Sequence, residues 1–243
     1  MRKILTLTSM ICIIMFTNYT AHAVAIDAYS SGNWSGYMAW IETDGTTKGS
    51  YVDGSNWQVA DLDASNVGGV VTLSPNTNTY RNMADDAARA YWSNSPDGGV
   101  TAGPDGNKWM DATYKLEAAG DNQAWNGQTL TFSGTISGFT LDSRYSTVAF
   151  IKTLDVNNNW NTVQNEDVKI SSTGDFNLSL DVLSGAYVAQ IGFTMSGINA
   201  NPATDWGNVQ ITNLNATAVP ERSTYALILG LASFLFLAIH RRK

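Results

Sequence analysis

The 243-residue chain contains one cysteine, Cys12, and two histidines, His22 and His240. All three lie in the apolar segments at its ends, so the stretch from Val24 to Val219 has neither residue type. That absence excludes a Ser-His-Asp triad, a cysteine nucleophile, a disulfide framework and any zinc site built from His or Cys. A domain without disulfides or zinc is held by its core alone, or by an oxygen-ligated ion such as calcium. Positive charge is scarce as well. Six of the 14 Lys and Arg residues fall in the end segments, whereas of the 21 acidic residues only Glu221 does. The body therefore carries 8 basic and 20 acidic residues, a net charge of −12. Such a surface repels phosphate backbones, so nucleic acid is excluded as a partner. Glutamate is rare too: the body has Glu42, Glu117 and Glu166, and its other acids are aspartates.

The two ends read as punctuation. Arg2 and Lys3 precede an apolar run from Ile4 to Phe16, and Ala21-His22-Ala23 supplies small residues in A-x-A spacing. This order is that of a secretory signal peptide over residues 1–23, cleaved after Ala23 by signal peptidase. At the other end, the 18 residues from Ser223 to His240 include no Asp, Glu, Lys or Arg. That length is just enough for one transmembrane helix, which needs about 17 to 25 residues. Arg241, Arg242 and Lys243 follow it and, by the positive-inside rule, face the cytoplasm. The apolar residues surround the helix on every side, which disfavours a surface-lying amphipathic helix.

Between the ends, Gly, Asn, Ser, Thr and Asp recur between short β-rich runs. From Lys108 to Ala118, Met110, Ala112, Tyr114 and Leu116 alternate with Trp109, Asp111, Thr113, Lys115 and Glu117. GDFNLSLD and AYVAQIGFTMSG alternate in the same way, and NWSGYMAWI, NWQVADL, GGVVTLS, QTLTFSG, STVAFIKTLD and WGNVQITNL read as further strands. Asp44-Gly45, Asp53-Gly54, Asp97-Gly98, Asp105-Gly106 and Asn126-Gly127 are turn signals. One short helix is expected over Asn82 to Trp92, with Asn82 as N-cap, Asp85 and Asp86 in the first turn and Arg89 a turn later. The fold class is all-β: an antiparallel two-sheet sandwich of jelly-roll-like form over residues 24–213, with a spacer at 214–218.

The last 25 residues carry a family resemblance. Val219-Pro220-Glu221, then Ser223-Thr224-Tyr225-Ala226, an apolar run containing Gly230, and the terminal Arg241-Arg242-Lys243 together resemble the PEP-CTERM sorting signal. Arg222 stands where that motif has its second proline, while the Pro-Glu centre is intact. The resemblance implies export, transient anchoring in the cytoplasmic membrane, handling by the membrane enzyme exosortase, and delivery to the cell surface or medium. It also implies an association with exopolysaccharide. GQTLTFSGTISG, VAFIKTLD, YVAQIGFTMSGINANP and WGNVQITNL are similar in style to β-sandwich passengers of the carbohydrate-binding-module type.

All eight tryptophans lie in the body. A tryptophan face stacks on the apolar face of a sugar ring, and neighbouring amides or carboxylates bond its hydroxyls. Trp109, on the polar side of its strand, and Trp125 and Trp160, in Asn-rich segments, are the sugar-contact candidates, while Trp40 and Trp57 are assigned to the core. Asp205 is the candidate ligand for a structural calcium ion, although no EF-hand spacing is present. No catalytic residue or organic cofactor is assigned. Glu117 with Glu42 or Glu166 is the pairing a glycosidase reading would require. Three functions compete: a non-enzymatic exported surface or matrix protein, a specific carbohydrate-binding module, and a polysaccharide hydrolase or lyase.

Overall fold

The computed structural model describes residues 23–28, 33–117, 124–185 and 187–220. The expected signal segment up to Ala21-His22, and the tail from Glu221 with the expected transmembrane helix and basic end, lie outside the described residues. No helix among the described residues is long and apolar enough to cross a membrane.

Two antiparallel six-stranded sheets form the body. In the first, β10 (Gly174–Asp181), β7 (Gln128–Phe139), β12 (Val209–Pro220), β5 (Val70–Leu73) and β4 (Ala64–Val67) lie in that order. A short β1 (Val24–Ile26) also pairs with β12. The second has the order β3 (Lys48–Trp57), β2 (Trp34–Thr43), β6 (Lys108–Glu117), β11 (Tyr187–Ile198), β8 (Ser146–Asp155) and β9 (Asn161–Ile170).

Period-two alternation decides which faces meet. Met110, Ala112, Tyr114 and Leu116 of β6 and Ala189, Ile191, Phe193 and Met195 of β11 turn inward. They meet Leu130 and Phe132 of β7, Phe176 and Leu178 of β10, and Ile211 and Leu214 of β12. The Phe132 and Phe193 rings lie 5.2 Å apart across the two sheets, and Trp34 stacks on Tyr114 at 4.2 Å. Each such side chain contributes about 1.5–3 kcal/mol by leaving water. That aromatic core is what a sandwich without disulfides depends on.

Several expectations need correction. Residues 214–218 are no spacer. They belong to β12, where Leu214, Ala216 and Ala218 are buried and residues 215–220 pair with β7. Val219 and Pro220, the start of the sorting motif, close that strand against Thr129 and Gln128. The expected helix starts later than Asn82, as α2 (Asp86–Trp92), and a separate short α1 (Asn78–Arg81), which was not expected, precedes it with Asn82 as its C-cap. Asp85 is the N-cap of α2, its carboxylate accepting from the Ala88 amide at 2.8 Å. Asp53-Gly54 lies inside β3, not at a turn, and Val59–Leu62 of NWQVADL is a 3-10 turn.

Candidate functional site

The second face of the β3-β2-β6-β11-β8-β9 sheet is turned away from the core. Strand register arranges it in rows. Glu117, Gln190, Lys152 and Asn165 form one row, and Ser35, Lys115, Gly192, Phe150 and Asp167 the next. Beyond them come Asn56, Tyr37, Thr113, Thr194, Val148 and Lys169, and then Gly54, Ala39, Asp111, Ser196 and Ser146. Tyr51, Ile41, Trp109 and Ile198 close the series. From Trp109 to Glu117 this face runs about 26 Å at the usual strand rise.

Aromatic groups gather at one end. Tyr37 lies over Gly54, where any Cβ would fall 2.1 Å from the tyrosine oxygen, so only glycine leaves room for the ring. Its hydroxyl meets that of Tyr51 at 3.4 Å. Partial burial, then the neighbouring Tyr51, pushes the Tyr37 phenol up to about 12, so it stays a neutral donor and acceptor. Tyr51 is 62% exposed, the face's most accessible large ring. Trp109 is oriented through its indole N–H, which donates to Asp111 Oδ1 at 3.2 Å. The same carboxylate accepts from Ser196 at 2.8 Å and from Lys48. Asp111 thus fixes an indole, a hydroxyl and an ammonium from three strands.

The centre of the face is polar yet largely closed. Thr113 and Thr194 share a hydroxyl hydrogen bond of 3.0 Å. Lys115 and Gln190 are buried and both donate to Glu117 Oε1. Lys152 rises beside them, its Nζ 4.6 Å from the centre of the buried Phe150 ring. It makes no ion pair with any described residue. Burial, and secondarily the nearby Lys115 ammonium, pushes its pKa down to about 8.

The sequence candidates separate on this frame. Trp109 belongs to the face. Trp125 does not: it is 9% exposed and part of the core cluster, so it offers no stacking surface to a sugar. The Asn126-Gly127 that follows it belongs to a tight turn into β7, which is why the segment read as an exposed loop. Trp160 is 55% exposed in the β8–β9 turn, at the Lys152 end of the sheet. Both Asn159 and Trp160 take positive φ there, 54° and 58°, a conformation that costs a bulky residue about 1 kcal/mol or more. Trp40 and Trp57 pack against the core as expected. The sequence reasoning missed Tyr37, Tyr51 and Lys152. Period-two spacing along STVAFIKTLD puts Lys152 on the face opposite Ile151, but nothing local marked it as unpaired.

Asp205 is exposed, and its carboxylate accepts from the Gly207 amide at 2.9 Å, a turn-stabilising role. Among the described residues it joins no group of three acids or histidines that would hold a metal. Glu117 and Glu42 sit at opposite ends of β2 and β6, about 30 Å apart by strand rise. Glu166 points to the other face of its sheet, opposite Ile151. A separate cleft of about 120 Å³ lies at the end of the sandwich, lined by Asn94, Asp105, Arg144, Asn201 and Trp206. There the Arg144 guanidinium lies 3.9 Å over the Trp206 ring and fills the aromatic face itself.

No family model matches the chain, and no curated protein matches it in sequence. Among solved structures, a xylan-binding module CBM15 aligns at a TM-score of 0.33 with 10% identity, over 83% of this chain and 97% of that one. A GH31 alpha-xylosidase from Xanthomonas citri aligns at 0.24 with 9% identity, over 83% of this chain and 19% of the enzyme.

Proposed function

We propose that this chain is an exported, non-enzymatic surface protein that holds polysaccharide along the outer face of its β3-β2-β6-β11-β8-β9 sheet. The observation that carries the reading is that face itself. It joins stackable rings (Trp109, Tyr37, Tyr51) to a close-set bed of hydroxyl, amide, ammonium and carboxylate groups along about 26 Å of strand. Rings stack on the apolar faces of sugars while hydrogen-bonding groups read the hydroxyls, and an open face admits a chain rather than a single sugar. On this reading the sandwich is of jelly-roll form. Signal peptidase removes the leader, exosortase acts on the Val219-Pro220-Glu221 tail while it sits in the cytoplasmic membrane, and the body reaches the cell surface or matrix.

Affinity electrophoresis through gels containing different polysaccharides tests the binding. Retardation of the wild type by at least one polymer is expected, with affinity weakened about tenfold, or ~1.4 kcal/mol, in Tyr51→Ala and in Trp109→Ala. Equal mobility of the wild type and the double variant in every gel would overturn it. Intact-mass measurement of the protein exported by its host tests the sorting. A mass that still includes the residues after Glu221 would make the tail a permanent anchor.

A further inference from the structure

The charges of the outer face are not balanced, and the imbalance is local. Lys48 is paired with Asp111 and Lys115 with Glu117, and the Gln190 amide shares the latter carboxylate. Lys152 has no such partner among the described residues. The charged groups around it can be named strand by strand. β6 presents Lys115, Glu117 and Asp111; β11 presents only the neutral Gln190; β9 presents the exposed Asp167 and Lys169, with Asn165 directly opposite. Asp167 is engaged by the Asn165 amide. Along the face, Lys152 turns its ammonium over Phe150, whose row neighbour is Gly192 and then Lys115. Gly192, Phe150 and Lys115 are all buried and the β6 backbone lies close against the glycine, whereas Lys152 is only half-buried and stands beside the exposed Asn165.

A site for neutral sugars has no use for an ammonium held in that position. Removing a charge from water without a counter-ion is costly, and methionine or leucine would cover Phe150 equally well. We infer that the ligand of this face is a glycan bearing carboxylates, with a uronate group seated against Lys152. This inference rests on the polysaccharide-binding reading above and names its ligand class. Lys152 and Lys169 both lack an ion pair among the described residues, but Lys169 is exposed to water and Lys152 alone is drawn into the face, which matches a single seated carboxylate. A densely sulfated chain would instead meet the repulsion of a body with net charge −12.

Isothermal titration of the exported protein separates the alternatives with four ligands of defined charge: oligogalacturonate, its methyl ester, a neutral xylan oligosaccharide and a sulfated dextran. The wild type should bind the acid at least tenfold more tightly than the ester. Lys152→Met should abolish that ratio, its fold checked by circular dichroism, while Lys152→Arg should retain most of it. The preference for acid over ester should also fall between pH 7 and pH 9, as Lys152 loses its proton. Equal binding of acid and ester, or a ratio that survives Lys152→Met, overturns the inference. So does tighter binding of the sulfated polymer. If such a result comes with weakened binding in Tyr51→Ala, the polysaccharide face stands and only its acid specificity fails. If no outer-face substitution alters binding of any ligand, the face itself is wrong.

Discussion

Lys152 is where stability and binding pull apart. Its folded pKa is about 8, below the ordinary 10.5, because burial penalises the ammonium. The sign follows from proton linkage. Between those two values the unfolded chain binds more protons than the folded one, so this residue's contribution to stability rises with pH through that window. Below about pH 8 the folded state bears the full cost of a charged, unpaired lysine. Lys152→Met should therefore melt a few degrees higher than the wild type at pH 7, with the gap closing toward pH 10.5. The tyrosines titrate in both proteins and cancel in the difference. Thermal melts across this range are the measurement, and a variant less stable at pH 7 would mean that the ammonium has a stabilising partner. A residue that lowers stability where it stands is what a ligand-facing charge looks like in the free protein.

At the scale of elements, β12 carries more than its ragged pattern suggests. It pairs with β7 along most of its length, and on its other side with β5 near the start and β1 near the end. Bulges fall between Gln210 and Ile211 and between Thr212 and Asn215, and Asn213 takes φ 53°. Those interruptions break the two-residue alternation, which is why LNATA, residues 214–218, read as a spacer. A chain ended after Asn213 should consequently fail to fold, since it loses buried Leu214, Ala216 and Ala218 and strands β1. One ended after Pro220 should melt cooperatively. Circular dichroism distinguishes them, and a cooperative melt in the shorter chain would restore the spacer. Strands with one face in the core were legible from their alternation: β6, β8, β10 and β11 lie where the pattern put them, to within a residue or two. β9, NTVQNEDVKI, was not, because it is an edge strand exposed along most of its length and carries no apolar alternation. Trp109 was legible for the same reason as β6. Tyr51 and Lys152 gain meaning only from cross-strand neighbours, Tyr37 for the one and Gln190 and Asn165 for the other, that strand pairing brings beside them.

For the whole molecule, the body's net charge of −12 and the half-buried Lys152 ammonium of its face act at different ranges. The diffuse charge repels a polyuronate at a distance. The Lys152 contact attracts only once the chain has docked, at a half-buried position where salt screens it less. Ionic strength should therefore divide the kinetics. Raising salt from about 10 mM to about 150 mM shortens the Debye length from about 30 Å to about 8 Å. The association rate should rise over that interval, while the dissociation rate, set by the stacked rings and the buried pair, should change much less. This is opposite to a basic surface patch binding the same polymer, whose association slows steadily as salt is added. Surface plasmon resonance on immobilised polygalacturonate reads both constants. An association rate that falls from the lowest salt upward would mean that positive potential extends well beyond one lysine, and that the polymer docks somewhere other than this face.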